Sequence, residues 1–133
     1  GRVRRLMAEA TATPSAMALG ATGDVALVER IGAAVGRELR ALGINTDFAP
    51  VADVNNNPRN PVIGTRSVGE SPDQVGEMGV AFARGLRSVG VAGAGVGGAF
   101  RWWWSRWSPG VGATRGGVAG GYSRAVRGSG GWT

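Results

Sequence analysis

The chain has 133 residues, a formal net charge of +6, and neither cysteine nor histidine. That length suits one modest domain and falls short of the about 250 residues of a closed eight-fold α/β barrel. The composition excludes a disulfide framework and a thiolate metal site, and it removes the commonest metal ligand and neutral-pH general acid/base.

No stretch approaches the roughly 20 apolar residues of a membrane span, and no signal peptide opens the chain. It begins at Gly1 with GRVRRL, which reads as mid-domain sequence, so a fragment lacking its true N-terminus is expected and no compartment is assigned. The charge is unevenly divided. Residues 1–92 hold ten arginines and all nine acidic residues, whereas residues 93–133 hold five arginines and no acid.

Arg2, Arg4 and Arg5 surround Val3 and Leu6 in a segment that reads as a solvated strand end or turn. Residues 11–22 form a small-residue connection broken by Pro14 and Gly20, without periodicity. Over residues 24–42 the spacing of Val25, Val28, Ile31, Val35, Leu39 and Leu42 predicts a helix with one apolar face. Thr22 or Asp24 is suited to cap its start, and Gly43 fits the left-handed position that ends it.

Residues 44–54, with Ile44, Thr46, Phe48, Val51 and Val54, read as a buried strand that stops at an Asn/Pro-rich loop. Ser71, Pro72 and Gln74 then form the signature of an N-cap, a first-turn proline and a capping box. Val75, Met78, Phe82, Leu86 and Val89 repeat at helical spacing up to Gly90, and Val91 and Ala92 open another strand. Helix, strand, helix, strand with short connections is the rhythm of a parallel α/β fold.

After Ala92 the character changes. Residues 93–133 contain thirteen glycines and all five tryptophans, with no period of 3.6 or 2, and ordering so much glycine costs more entropy than the apolar surface returns. Disorder is expected there. The run Arg101, Trp102, Trp103, Trp104, Ser105, Arg106, Trp107 suits a membrane interface or single-stranded nucleic acid, which makes a small basic binding protein the alternative reading. The preferred reading is a shift of reading frame, because acids and periodicity vanish at one point and tryptophan's TGG codons read one base over as valine codons. On that reading neither nucleic acid nor membrane is a partner. Gly93, Gly95, Gly97 and Gly98 lack the spacing of a phosphate-binding loop.

The loop over residues 55–67 carries the candidate site. Asn55, Asn56, Asn57 and Asn60 are able to form Asx-turns, and Pro58 and Pro61 limit the backbone. Arg66 offers a planar fork of donors for hydroxyls or carboxylates of a polar ligand. Equally, it is placed to pair with Asp53 or Glu70 and pin the loop, and Asp53 is balanced between structural acceptor and pocket residue.

The stretches 48–54 and 57–69, FAPVADV and NPRNPVIGTRSVG, resemble the strand and loop of the N-terminal catalytic barrel of family 3 glycoside hydrolases, in its bacterial β-N-acetylhexosaminidase branch. The resemblance implies a partial TIM-type (β/α)8 barrel over residues 1–92, followed by a non-homologous low-complexity tail over 93–133. It also implies a retaining glycosidase of terminal β-linked N-acetylglucosamine, without metal or organic cofactor, working through a carboxylate nucleophile and a general acid/base. In this resemblance Arg66 matches the sugar-binding arginine and Arg5 a second substrate-contacting arginine. The substrate-binding lysine and histidine, the acid/base histidine and the nucleophilic aspartate of the family belong beyond residue 92. This chain has no lysine, no histidine and no aspartate after Asp73, so it carries no catalytic residue and is expected to be inactive by itself. Carbohydrate is the expected ligand of the intact family member, and no obligate protein partner is expected. Val68 stands where phenylalanine is usual.

Overall fold

The computed structural model describes residues 8–59 and 61–95. They form a short helix α1 (Ala16–Ala21), a long helix α2 (Val25–Ala41), strand β1 (Thr46–Asp47), a 3-10 turn (Gly64–Arg66), a second long helix α3 (Pro72–Ser88) and strand β2 (Ala92–Gly93). β1 and β2 pair in parallel, Thr46 opposite Ala92 and Asp47 opposite Gly93, so β1, α3 and β2 make a crossover unit. The α/β rhythm read from the sequence is present. Arg5 and residues 96–133, with their tryptophans, lie outside the described residues. The disorder expected from residue 93 onward does not hold at its start, where Gly93 belongs to β2 and the Ala94 N–H donates to the Asp47 carbonyl at 2.8 Å.

α2 starts where Asp24 accepts a hydrogen bond from the Leu27 N–H at 2.8 Å. Thr22 instead turns its hydroxyl back to the Leu19 carbonyl at 2.6 Å, closing α1. Gly43, at φ 76°, stops α2 in the left-handed region, where an L side chain would be strained. The buried line of α2 runs through Val28, Gly32, Gly36 and Leu39, while Ile31 and Val35 are only half-buried and Leu42 is exposed at the C-cap.

The glycines explain that rotation of the buried face. A Cβ on Gly32 would overlap the Phe82 carbonyl oxygen, and one on Gly85 would overlap that of Glu29. The backbones of α2 and α3 therefore meet directly at their crossing, and the apolar stripe of α2 is turned partly aside. Around the crossing lie two clusters, one with Val28, Val75 and Met78 and one with Leu39, Leu86 and Val91. Leu86, Val28, Val75 and Val91 are fully buried, each contributing about 1.5–3 kcal/mol by removal from water.

Three expectations need correction. The strand expected over residues 44–54 is reduced to Thr46–Asp47, with an isolated bridge at Val51, because its described neighbour β2 pairs over two residues and Pro50 has no N–H to donate. The capping box at α3 does not form. Ser71 makes no side-chain cap bond, and Gln74 donates its Nε2–H to the Gly20 carbonyl at 2.9 Å, which also accepts from the Gly23 N–H at 3.2 Å at the end of α1. Residues 11–22, read as a connection, contain α1, which Ser15 caps by accepting from the Ala18 N–H at 3.2 Å.

Candidate functional site

After β1 the chain enters the loop, and that loop is tied shut at its neck. The Asn55 N–H donates to the Gly69 carbonyl at 3.0 Å. Ser67, wholly buried, directs its hydroxyl toward the carbonyls of Asp53 at 2.7 Å and Gly69 at 2.9 Å, and it accepts from the Gly69 N–H at 3.2 Å. Val68 packs its backbone so closely on Gly20 that a Cβ there would overlap the Val68 carbonyl. With Gln74 bonded to Gly20, the neck is joined to both α1 and α3.

Beyond the neck, Asn57 Oδ1 accepts from the Arg59 N–H at 3.0 Å, an Asx-turn of the kind these asparagines favour. Asn55 Oδ1 is buried and has no hydrogen-bond partner among the described residues. Gly64, at φ 51°, opens the 3-10 turn, in which the Arg66 N–H donates to the Ile63 carbonyl at 3.1 Å. The ends of the loop are thus bonded to one another, with Arg66 at its return end.

Arg66 lines an open groove of about 1150 Å³ together with Asp47, Phe48, Thr65, Thr11 and Glu38. The half-buried apolar face of α2, Ile31 and Val35, contributes to the same groove with Met78 and Phe82 of α3. Arg66 is exposed, and its guanidinium is paired with neither Asp53 nor Glu70. Asp53 is half-buried and does not line this groove; its backbone carbonyl serves the neck instead. Arg5 lies outside the described residues.

Two carboxylates on the groove differ in environment. Burial pushes the Asp47 carboxyl above the ordinary aspartate pKa, against a hydrogen bond from the Phe48 N–H. Glu38 is held below the ordinary glutamate value by hydrogen bonds from the Thr11 hydroxyl and N–H, the latter at 2.9 Å. A guanidinium fork, carboxylate acceptors and the 60% exposed ring of Phe48 provide donors, acceptors and an apolar surface for a polyhydroxylated ligand. Among the described residues no group of three or more histidine, cysteine, aspartate or glutamate side chains is placed to hold a metal, and no helix is long and apolar enough to cross a membrane.

Sequence reasoning singled out Arg66 and overlooked Asp47, Glu38 and Ser67. Asp47 was open to inference, since it sits at the carboxyl end of β1, where α/β folds place ligand contacts. Glu38 was masked by its position among the helical charges of α2, and nothing local distinguishes Ser67 from an ordinary loop serine.

Residues 1–96 match the glycosyl hydrolase family 3 N terminal domain. The chain belongs to that family. Among its family 3 relatives, beta-hexosaminidase A of Pseudoalteromonas piscicida is 43% identical over 99 residues, covering 71% of this chain and 16% of the relative. Beta-hexosaminidase LpqI of Mycobacterium tuberculosis is 46% identical over 92 residues, covering 68% of this chain and 24% of the relative. Among solved structures, a family 3 glycosyl hydrolase from Mycobacterium smegmatis superposes with a TM-score of 0.61 at 45% identity, over 68% of this chain and 28% of that one. A family 3 beta-N-acetylglucosaminidase from Paenibacillus gives 0.61 at 51% identity, over 62% of this chain and 16% of that one. This family 3 chain thus spans between 16% and 28% of the length of these proteins.

Proposed function

We propose that this chain contributes one wall of the sugar pocket of a retaining β-N-acetylhexosaminidase, whose substrate is terminal β-linked N-acetylglucosamine. The observation that carries this reading is Arg66, exposed on the groove at the return end of a tied loop and paired with neither carboxylate near it in sequence. The names of the relatives supply the sugar. Arg66 contacts the N-acetylhexosamine, Arg5 supplies a second contact, and Asp53, which does not line the groove, serves through its backbone carbonyl in the neck. The β1–α3–β2 crossover is one segment of a partial (β/α)8 barrel, and the residues beyond the family match are a frame-shifted, non-homologous tail.

On this reading the 133-residue chain binds sugar without turning it over. It holds no histidine, no lysine and no aspartate beyond Asp73 to supply the proton transfer and nucleophile of a retaining mechanism. The test is a pair of measurements on the purified chain. Titration with N-acetylglucosamine, followed by backbone NMR shifts, is expected to perturb the groove residues and to lose that response in Arg66→Ala. A chromogenic N-acetylglucosaminide is expected to remain uncleaved. Equal sugar binding by Arg66→Ala, or measurable hydrolysis, would overturn the assignment.

A further inference from the structure

Arg66 is exposed and has no side-chain partner among the described residues, so its place on the groove is fixed by the backbone on either side. On its amino-terminal side stands the 3-10 turn. On its carboxyl side stands Ser67, which closes that turn by donating its own N–H to the Gly64 carbonyl at 3.3 Å. We propose that Ser67 is a positioning residue for Arg66, its buried hydroxyl locking the return strand of the loop so that the arginine enters the groove at one point.

The geometry is that of a peg between two strands of the neck. The Ser67 hydroxyl bonds to Asp53, fourteen positions earlier, and to both the carbonyl and the N–H of Gly69. Every one of these partners is backbone, so the bonds fix chain position and leave side-chain conformation alone. A hydroxyl has one hydrogen and two lone pairs, and here the hydrogen is shared between two carbonyls while a lone pair accepts from Gly69. No part of Ser67 reaches solvent, so water cannot replace these bonds if the hydroxyl is removed. Adjacent Cα atoms are held about 3.8 Å apart by a trans peptide, so fixing Ser67 leaves Arg66 little room to move. The role rests on the reading of Arg66 as the sugar contact.

Amide hydrogen exchange on the full chain tests it, with Ser67→Ala and Ser67→Cys compared to the parent. Exchange at Asn55, Arg66, Ser67 and Gly69 is expected to quicken about tenfold, the effect of losing one net hydrogen bond, with α2 and α3 unchanged. Cysteine approximates the serine's shape but is a weak donor, so it should behave like alanine. Affinity for N-acetylglucosamine should fall about tenfold in both variants. Unaltered exchange at Arg66 in Ser67→Ala would overturn the proposal. So would a cysteine variant as slow as the parent, or acceleration spreading equally through both helices. If Arg66→Ala binds the sugar like the parent while the exchange results hold, the fault lies in the sugar assignment and not in Ser67's hold on the loop.

Discussion

The crossing of α2 and α3 makes a prediction whose sign runs against helix propensity. Gly79 and Gly85 both lie inside α3, and replacing an interior helical glycine by alanine ordinarily gains up to about 1 kcal/mol. At Gly79 the added Cβ meets only Pro50 Cγ, at 3.5 Å, an ordinary contact. At Gly85 it overlaps the Glu29 carbonyl oxygen and lies 2.6 Å from the Ala33 nitrogen and 2.9 Å from the Gly32 carbonyl carbon. These are backbone atoms of the facing helix and have no rotamer to adopt. The helices must part by roughly 1 Å, which weakens the contacts along the whole crossing. Overpacking of this kind costs about 1–3 kcal/mol. Because the clashing atoms are backbone the cost lies toward the upper end, about 2–3 kcal/mol, and less a propensity gain of about 1 kcal/mol the net result for Gly85→Ala is a loss of about 1–2 kcal/mol. For a domain of this size each kcal/mol moves Tm by about 4–8 °C. Thermal unfolding followed by circular dichroism at the helical band should therefore show Gly85→Ala melting about 5–15 °C below the parent and Gly79→Ala at or above it. If both variants shift Tm in the same direction, the backbone-to-backbone crossing is wrong.

The two long helices also differ at their starts. Asp24→Ala removes a formed cap bond and should lower stability by about 1 kcal/mol in urea unfolding, whereas Ser71→Ala should be neutral because Ser71 makes none. Arg30→Ala should leave stability unchanged, since its 4.0 Å approach to Asp24 is solvent-exposed on both sides. The groove carboxylates should titrate in opposite senses. Asp47, raised by burial, contributes stability that is present below the ordinary aspartate pKa and lost as pH rises through its folded value, so Asp47→Asn should gain on the parent from acid to neutral pH. Glu38, lowered by Thr11, contributes stability that is present above the ordinary glutamate pKa and lost as pH falls through its folded value. Glu38→Gln should therefore lose on the parent over the same climb. Stability differences independent of pH would contradict both assignments.

Local signals in the sequence were read well where the physics is local. The period of Val25, Val28 and Leu39 gave α2, and Gly43 and Gly90, at φ 76° and 80°, stand at its end and at that of α3. Arg66 was legible because the loop motif around it resembles the family that the chain belongs to. What failed depends on partners distant in the chain. The length of β1 is set by β2, forty-six residues later in register, and no pattern within residues 44–54 reports it. Gln74 fits a capping box from its neighbours alone, yet its partner is Gly20, fifty-four positions away. α1 has six residues of mostly small side chains, too few to display a period. Ser67 matters through three backbone bonds that exist only after the loop has closed.

The closed neck makes the loop above it a replaceable cassette. Among the described residues of the tip, 56–59, 61 and 62 are exposed, so little buried apolar surface would be lost there if the tip were rebuilt. Lengthening a flexible loop is inexpensive, about 0.6 kcal/mol for each doubling, because closure entropy grows only logarithmically. Stability alone therefore sets little limit on the length of the apex, while the junction beneath keeps the arginine in register with β1.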